Sequence, residues 1–281
     1  MIIGGVFNGL FTSISVITPW LIFGMLLLTF TRLSPKELKF SKLHAILLSI
    51  QAIGCTVGAL LYSTNPILSQ AIILLFLTPT ASAAAVITGM LGGSVSFLTS
   101  FILLSNLAIA FTAPILFTFF GENQDMNLVS SIWIICQKVV PLLTAPLLLA
   151  WGFRYLAPKL HNTVASFQWV SFYLWALALT IVTGKTINFM INQENQDIHT
   201  EILLASISLI ACIIQFLLGR YMGARYDNTI AGGQSLGQKN TILAIWMAQT
   251  YLHPLVAIAP AAYVLWQNMI NSYQLWLKRR K

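Results

Sequence analysis

Polar and apolar positions along this chain segregate into blocks and do not alternate with the period of a half-buried strand. Runs of about twenty apolar residues recur at positions 13–31, 43–62, 71–90, 95–120, 128–153, 165–183, 202–219 and 255–277. Each is long enough for a helix to cross the ~30 Å hydrocarbon layer of a bilayer. A further block, residues 226–254, is broken by a polar and glycine-rich stretch holding Gly232, Gly233, Gln234, Ser235, Gly237, Gln238, Lys239 and Asn240. The pattern predicts an all-α membrane protein with about nine transmembrane helices, a single polytopic domain over residues 1–281 and no separate soluble domain.

The broken block is the informative one. Lipid offers no hydrogen-bond partners, so a helix interrupted inside a membrane must satisfy its freed N–H and C=O groups within the protein or along a water-filled cavity. Such broken helices mark substrate sites in transporters, because half-helix ends carry partial charges to the middle of the membrane. Breaks are expected at Gly232, Gly233 and Gly237. A second candidate lies at residues 78–85, TPTASAAA, where Pro79 removes a backbone donor and small residues permit close helix approach. The two stretches are expected to be unwound and to cross near mid-membrane.

Composition agrees with this reading: 57% of residues are hydrophobic, 8% are charged and the mean hydropathy is +0.81. The net charge of +8 does not point to nucleic acid, because the basic residues sit in short loops between apolar runs. With nine spans, 12 of the 15 Lys and Arg fall on one side, which makes that side cytoplasmic, the N-terminus external and the C-terminus cytoplasmic. Residues 1–30 carry no charge and no small-residue cleavage site, and are read as a retained anchor instead of a cleaved signal. Six of the seven acids fall outside the predicted spans and Asp227 stands at the very start of the broken block, whereas Lys138 and Lys239 lie well within spans. A positive interior without acids favours an anionic cargo. Lys138 can extend its stem toward the interface, while Lys239 lies among glycines and amides at the break. Cys55, Cys136 and Cys212 show no metal-ligand or redox spacing, and the four histidines fall at loops or span ends with no HExxH pattern. No enzyme, metal or cofactor is expected.

Four local matches resemble the bile acid:sodium symporter family, and together they cover most of the chain from about residue 17 onward. Residues 19–28, PWLIFGMLLL, resemble its second helix; 78–82, TPTAS, its first broken helix; 237–240, GQKN, the motif of its second broken helix; and 266–268, WQN, its closing helix. The resemblance implies an inverted-repeat transporter fold with two crossing broken helices. About residues 13–120 would form the first repeat, lacking one helix, and about 127–277 the second. It further implies Thr80, Ser82, Lys239, Asn240, Gln267 and Asn268 as substrate-binding residues, and Gln51, Ala83, Ser235, Gln238 and Lys239 as the ion-coupling region.

The departures matter as much. Where members with two sodium ions carry a glutamate and a glutamine, this chain has Ser235 and Lys239; an asparagine ligand is matched by Ala83. Gln51 and Asn240 are retained. The carboxylate that would bridge two sodium ions is gone, and an ammonium beside a sodium ion ~4 Å away would be disfavoured by about 4 kcal/mol at an effective dielectric of 20. The expectation is a secondary transporter in the cell membrane that moves a small organic anion with Lys239 standing in for sodium. Its expected partners are the bilayer and that anion. A ligand sensor built on the same fold is the alternative.

Overall fold

The computed structural model describes residues 2–31, 38, 40–81, 83–121, 128–192 and 198–280. Every regular element among them is helical. Short helices α1 (Ile2–Val6) and α2 (Asn8–Ser13) lead into α3 (Thr18–Phe30), which opens with Pro19 in its first turn, where the absent N–H has no intrahelical role. Helix α4 (Lys42–Leu60) starts at a capping box in which the Ser41 N–H donates to His44 Nδ1 at 3.0 Å. The far side of that imidazole anchors the helix, with Nε2 3.0 Å from the Phe97 carbonyl oxygen and the ring stacked on Phe97.

Helix α5 (Pro66–Leu77) is capped by Asn65, whose side chain accepts from the Leu68 N–H, and is stopped by Pro79. Proline cannot donate to the ladder and pushes the preceding residue out of helical geometry; Thr78 accordingly sits at φ −51°, ψ 131°. The chain resumes as α6 (Ala83–Leu91), turns at Gly92 with φ +83°, a conformation suited to glycine, and enters α7 (Val95–Phe120). Next come α8 (Leu128–Leu156), α9 (Pro158–Ser166), α10 (Val170–Asn192) and α11 (Ile198–Ala224). The pair α12 (Thr229–Gly237) and α13 (Thr241–Tyr251) is separated by residues 238–240, and α14 (Ile258–Arg280) closes the chain.

Four helical segments are long and apolar enough to cross a membrane: Lys42–Leu60, Val95–Phe120, Ile132–Leu156 and Ile198–Ala224. Ser15–Phe30 and Pro66–Leu77 are shorter apolar helices. Large apolar side chains such as Val16, Trp20, Leu60, Val129 and Leu156 point outward, the arrangement of a protein whose surroundings are lipid. The chain is a membrane-embedded helical protein.

Two groups of helices are distinguishable by packing. In one, α3 lies on α8 and α10, with α1 and α2 against α10; in the other, α4 packs on α5, α11 on α12 and α14, and α6 on α7 and α12. The successive helices α7 and α8 join the groups, and α13 meets α3 and α10 across the divide. One end of the bundle collects basic residues. There Arg154 Nη2 donates to the Thr31 carbonyl at 3.0 Å and Lys278 Nζ to the Met90 carbonyl at 2.9 Å. At the other end Gln70 donates to the Phe120 carbonyl at 2.7 Å and accepts from the His253 N–H at 3.0 Å.

Four expectations from sequence need correction. Gly232 and Gly233 are not breaks: both lie within α12, where their missing side chains let its backbone press against α11 at Gly219 and Gly223. Gly237 is the last residue of α12, seated on the Phe216 ring, so the break falls one residue later, at Gln238. The sixth span does not end with its apolar run at residue 183, because α10 continues to Asn192 and Gly184 packs against Gly4 of α1. The first break is also shorter than residues 78–85, since α6 is already helical at Ala83.

Candidate functional site

The two interruptions pair with each other as extended backbone. Thr80 and Lys239 form an antiparallel bridge, the Ala81 N–H donates to the Gln238 carbonyl at 2.9 Å, and the Asn240 N–H donates to the Pro79 carbonyl at 2.8 Å. Freed backbone groups of each half-helix thus find partners in the other. Thr80 adds a side-chain link, its Oγ1 donating to the Ser235 carbonyl at 2.6 Å, and its own N–H reaches Ser105 Oγ at 3.3 Å.

Lys239 is only 2% exposed. Its Nζ donates to the carbonyl oxygens of Thr78 at 3.0 Å and Phe76 at 3.4 Å, the C-terminal end of α5. Two glutamines join it on the same turn: Gln51 Nε2 donates to the Thr78 carbonyl at 3.4 Å and Gln215 Nε2 to the Leu75 carbonyl at 3.5 Å. The last carbonyls of a helix lack intrahelical donors and carry its negative dipole end, so this is where a buried ammonium is best tolerated. No ion pair is formed with it among the described residues. The ammonium therefore occupies a cation position built from backbone oxygens.

On the other face of the Lys239 backbone lies a cavity of about 90 Å³. Met25, Leu26 and Thr29 of α3 form one wall; Ala81 and Ala83, the residues from Gln238 to Ile242, and Gln267 and Asn268 of α14 form the rest. Hydrogen-bond accounting fixes the polarity of its amides. Gln267 Oε1 accepts from the Lys239 N–H at 2.8 Å, and Asn240 Oδ1 accepts from the Leu243 N–H at 3.3 Å as the N-cap of α13. A backbone N–H can only donate, so both oxygens are committed and each residue keeps its NH₂ for the cavity. Gln238 Oε1 accepts from Asn271 Nδ2 at 3.1 Å, an amide–amide bond that ties the α12–α13 link to α14. Asn268 has the opposite polarity, donating Nδ2 to the Val264 carbonyl at 2.7 Å and keeping its oxygen. The NH₂ groups of Asn240 and Gln267 and the oxygen of Asn268 are thus left free on residues that line the cavity, together with the N-terminal, positive end of α13.

The residues singled out from sequence separate into two places. Gln238, Asn240, Gln267, Asn268 and Ala83 line the cavity, whereas Thr80 and Ser235 belong to the crossing and do not. Ser235 is fully buried inside α12 with no hydrogen-bond partner for its hydroxyl among the described residues. Gln51 sits beside the ammonium. Lys239 belongs to both: it is among the cavity-lining residues, and its Nζ sits beside the first interruption on the terminal carbonyls of α5. Ser82 and the side chain of Lys138 lie outside the described residues.

Sequence reasoning missed Gln215, Gln234 and Asn271. Gln234 Nε2 donates to Asn271 Oδ1 at 2.8 Å, and Asn271 in turn holds Gln238. A signal existed: Gln267, Asn271 and Gln274 recur at spacings of four and three along α14, one polar stripe on a helix. No family model matches the chain, and no curated protein matches it.

Proposed function

We propose that the chain is a secondary transporter of a small organic anion, resembling bile acid:sodium symporters but working without their two-sodium site. In this reading it forms nine spans arranged as an inverted repeat lacking one helix, with the N-terminus outside and the C-terminus in the cytoplasm of the cell membrane. The observation that carries the reading is Lys239: a buried ammonium set on the terminal carbonyls of a half-helix, at a position where the family places a sodium ligand. The same side chain holds the α5 end in place, and its backbone N–H orients Gln267 at the cavity.

The cavity supports the anion. The NH₂ groups of Asn240 and Gln267 and a helix N-terminus offer donors to a carboxylate or similar oxyanion, while the free amide oxygen of Asn268 suits a hydroxyl or another donor on the same molecule. Met25 and Leu26 supply an apolar wall for the remainder. The charge on Lys239 would act on cargo at a distance, through the potential of the site and not by contact.

Uptake of small carboxylates into proteoliposomes, measured with sodium and with potassium replacing it, tests the proposal. Uptake that is unchanged by the replacement is expected. Uptake that rises steeply with sodium would refute the substitution of ion by lysine, and binding without flux would make the protein a receptor on this fold.

A further inference from the structure

The two helix groups meet at α13, and one polar seam crosses that divide well away from the cavity. Gln249 of α13 donates Nε2 to Thr186 Oγ1 at 2.8 Å and to the Val182 carbonyl at 3.1 Å, both on α10. Thr186 Oγ1 itself donates to the Val182 carbonyl at 2.9 Å, so its hydroxyl is oriented to accept from Gln249. Val182 and Thr186 are buried, as is the neighbouring Thr183, whose hydroxyl has no partner among the described residues. An amide donor bridging two helices in a lipid-facing protein holds them in one relation, since lipid offers it no alternative partner.

Position gives the seam its meaning. Gln249 lies eight residues beyond Thr241, the cavity residue at the start of α13, hence about 12 Å along the helix axis at 1.5 Å per residue. That displacement is toward the end where α7 finishes, because Gly121 abuts Tyr251 and the Phe120 carbonyl is tied through Gln70 to His253. The cavity wall from α3 is made by Met25, Leu26 and Thr29, on the half of that helix leading to Thr31 and the basic end. Cavity and seam are thus stacked along one interface between the same two groups of helices.

We infer that the Gln249 seam is the gate that seals the cavity from the end of the bundle marked by Gly121 and Tyr251, and that separating α13 from α10 there opens the alternate face. The inference rests on the transport reading for its purpose but not for its test. Breaking the seam exposes the α10 face around Thr183 to water, whether or not anything is carried.

The experiment uses the full chain in proteoliposomes with Thr183→Cys as reporter and a membrane-impermeant methanethiosulfonate reagent; the protein without the reporter gives the background from Cys55, Cys136 and Cys212. Adding Gln249→Ala should raise the labelling rate of Thr183→Cys about tenfold, the order expected when two hydrogen bonds that favour the closed state are removed. Thr186→Val, which keeps shape and removes only the acceptor hydroxyl, should give a smaller rise in the same direction. Labelling unchanged in both variants overturns the gate, whatever the flux. A rise in labelling by a protein that shows no flux of any carboxylate upholds the gate and removes the transport reading instead.

Discussion

Lys239 donates to the carbonyl oxygen of Thr78 at 3.0 Å although the two residues are 161 apart in sequence. The bond joins the C-terminal end of α5 to the link between α12 and α13; in the transport mechanism proposed above it sets a side chain that cannot leave where an inorganic cation would otherwise sit. A site of this kind keeps its charge throughout a transport cycle unless a proton departs. Binding of cargo then need not be coupled to binding of sodium.

Lys239→Gln should therefore lose uptake and not gain sodium dependence. The glutamine restores the residue type found in two-sodium members but not their carboxylate. Leaving the Phe76 carbonyl without the donor it takes from Lys239 costs ~1–3 kcal/mol, so a fall of about tenfold or more in uptake is expected. Ser235→Glu combined with Lys239→Gln should recover part of a sodium response. Normal uptake by Lys239→Gln, together with sodium-dependent uptake by the unaltered protein, would sink the mechanism.

Gln267→Glu tests the polarity of the cavity. The carboxylate can still accept from the Lys239 N–H, but it replaces the NH₂ with a negative oxygen. Placing like charges together costs several kcal/mol, so the KM for a carboxylate should rise about tenfold or more. Thermal stability should change little by comparison. An unaltered KM would show that cargo does not approach this side chain.

Two glycine substitutions should separate sharply in effect. Gly219→Val puts branched methyl groups into the backbone of α12 at Gly232 and should destabilise by at least ~1–3 kcal/mol, the usual range for overpacking a tight interface. Gly152→Ala in α8 meets nothing within 4 Å, and exchanging a helical glycine for alanine should be neutral or stabilising by ~0.4–1 kcal/mol. Unfolding midpoints in detergent, read from tryptophan fluorescence, would check both. Equal shifts would contradict the close packing of α11 on α12.

Topology is open to a direct check. Cysteines introduced in place of Lys36 and Gln196 should react with an impermeant thiol reagent from opposite sides of the membrane. Labelling of both from outside would remove the nine-span arrangement, and with it the external N-terminus.

Much of the helical layout could be read from the chain because lipid imposes a simple rule: long uncharged runs become helices. Pro79 was readable for the same reason, since a missing N–H has one structural meaning. Gly232 and Gly233 misled because glycine has two uses, to loosen a backbone and to let two backbones touch, and the choice depends on Gly219 and Gly223 in another helix. The bonding partners of the Lys239 ammonium were equally hidden, since they are the carbonyls at the end of α5, which no local pattern around residue 239 contains. The amide polarity of Gln267 and Asn240 likewise follows from bonds to backbone groups that only the folded chain brings near.

The pairing of the two interruptions has a consequence for how the protein is made. When residues 66–91 have been synthesised and inserted, the carbonyls of Leu75, Phe76 and Thr78 have none of the donors that Gln215 and Lys239 later provide. At ~5–20 residues per second, Lys239 leaves the ribosome about ten to thirty seconds after Thr78. For that interval the first half-helix pair is an unfinished object in lipid, with polar backbone that must be sheltered by water, by the insertion machinery or by another chain. A nascent chain arrested before residue 239 should be a far better substrate for membrane quality control than its hydrophobicity alone would suggest, and the completed lysine is what ends that exposure.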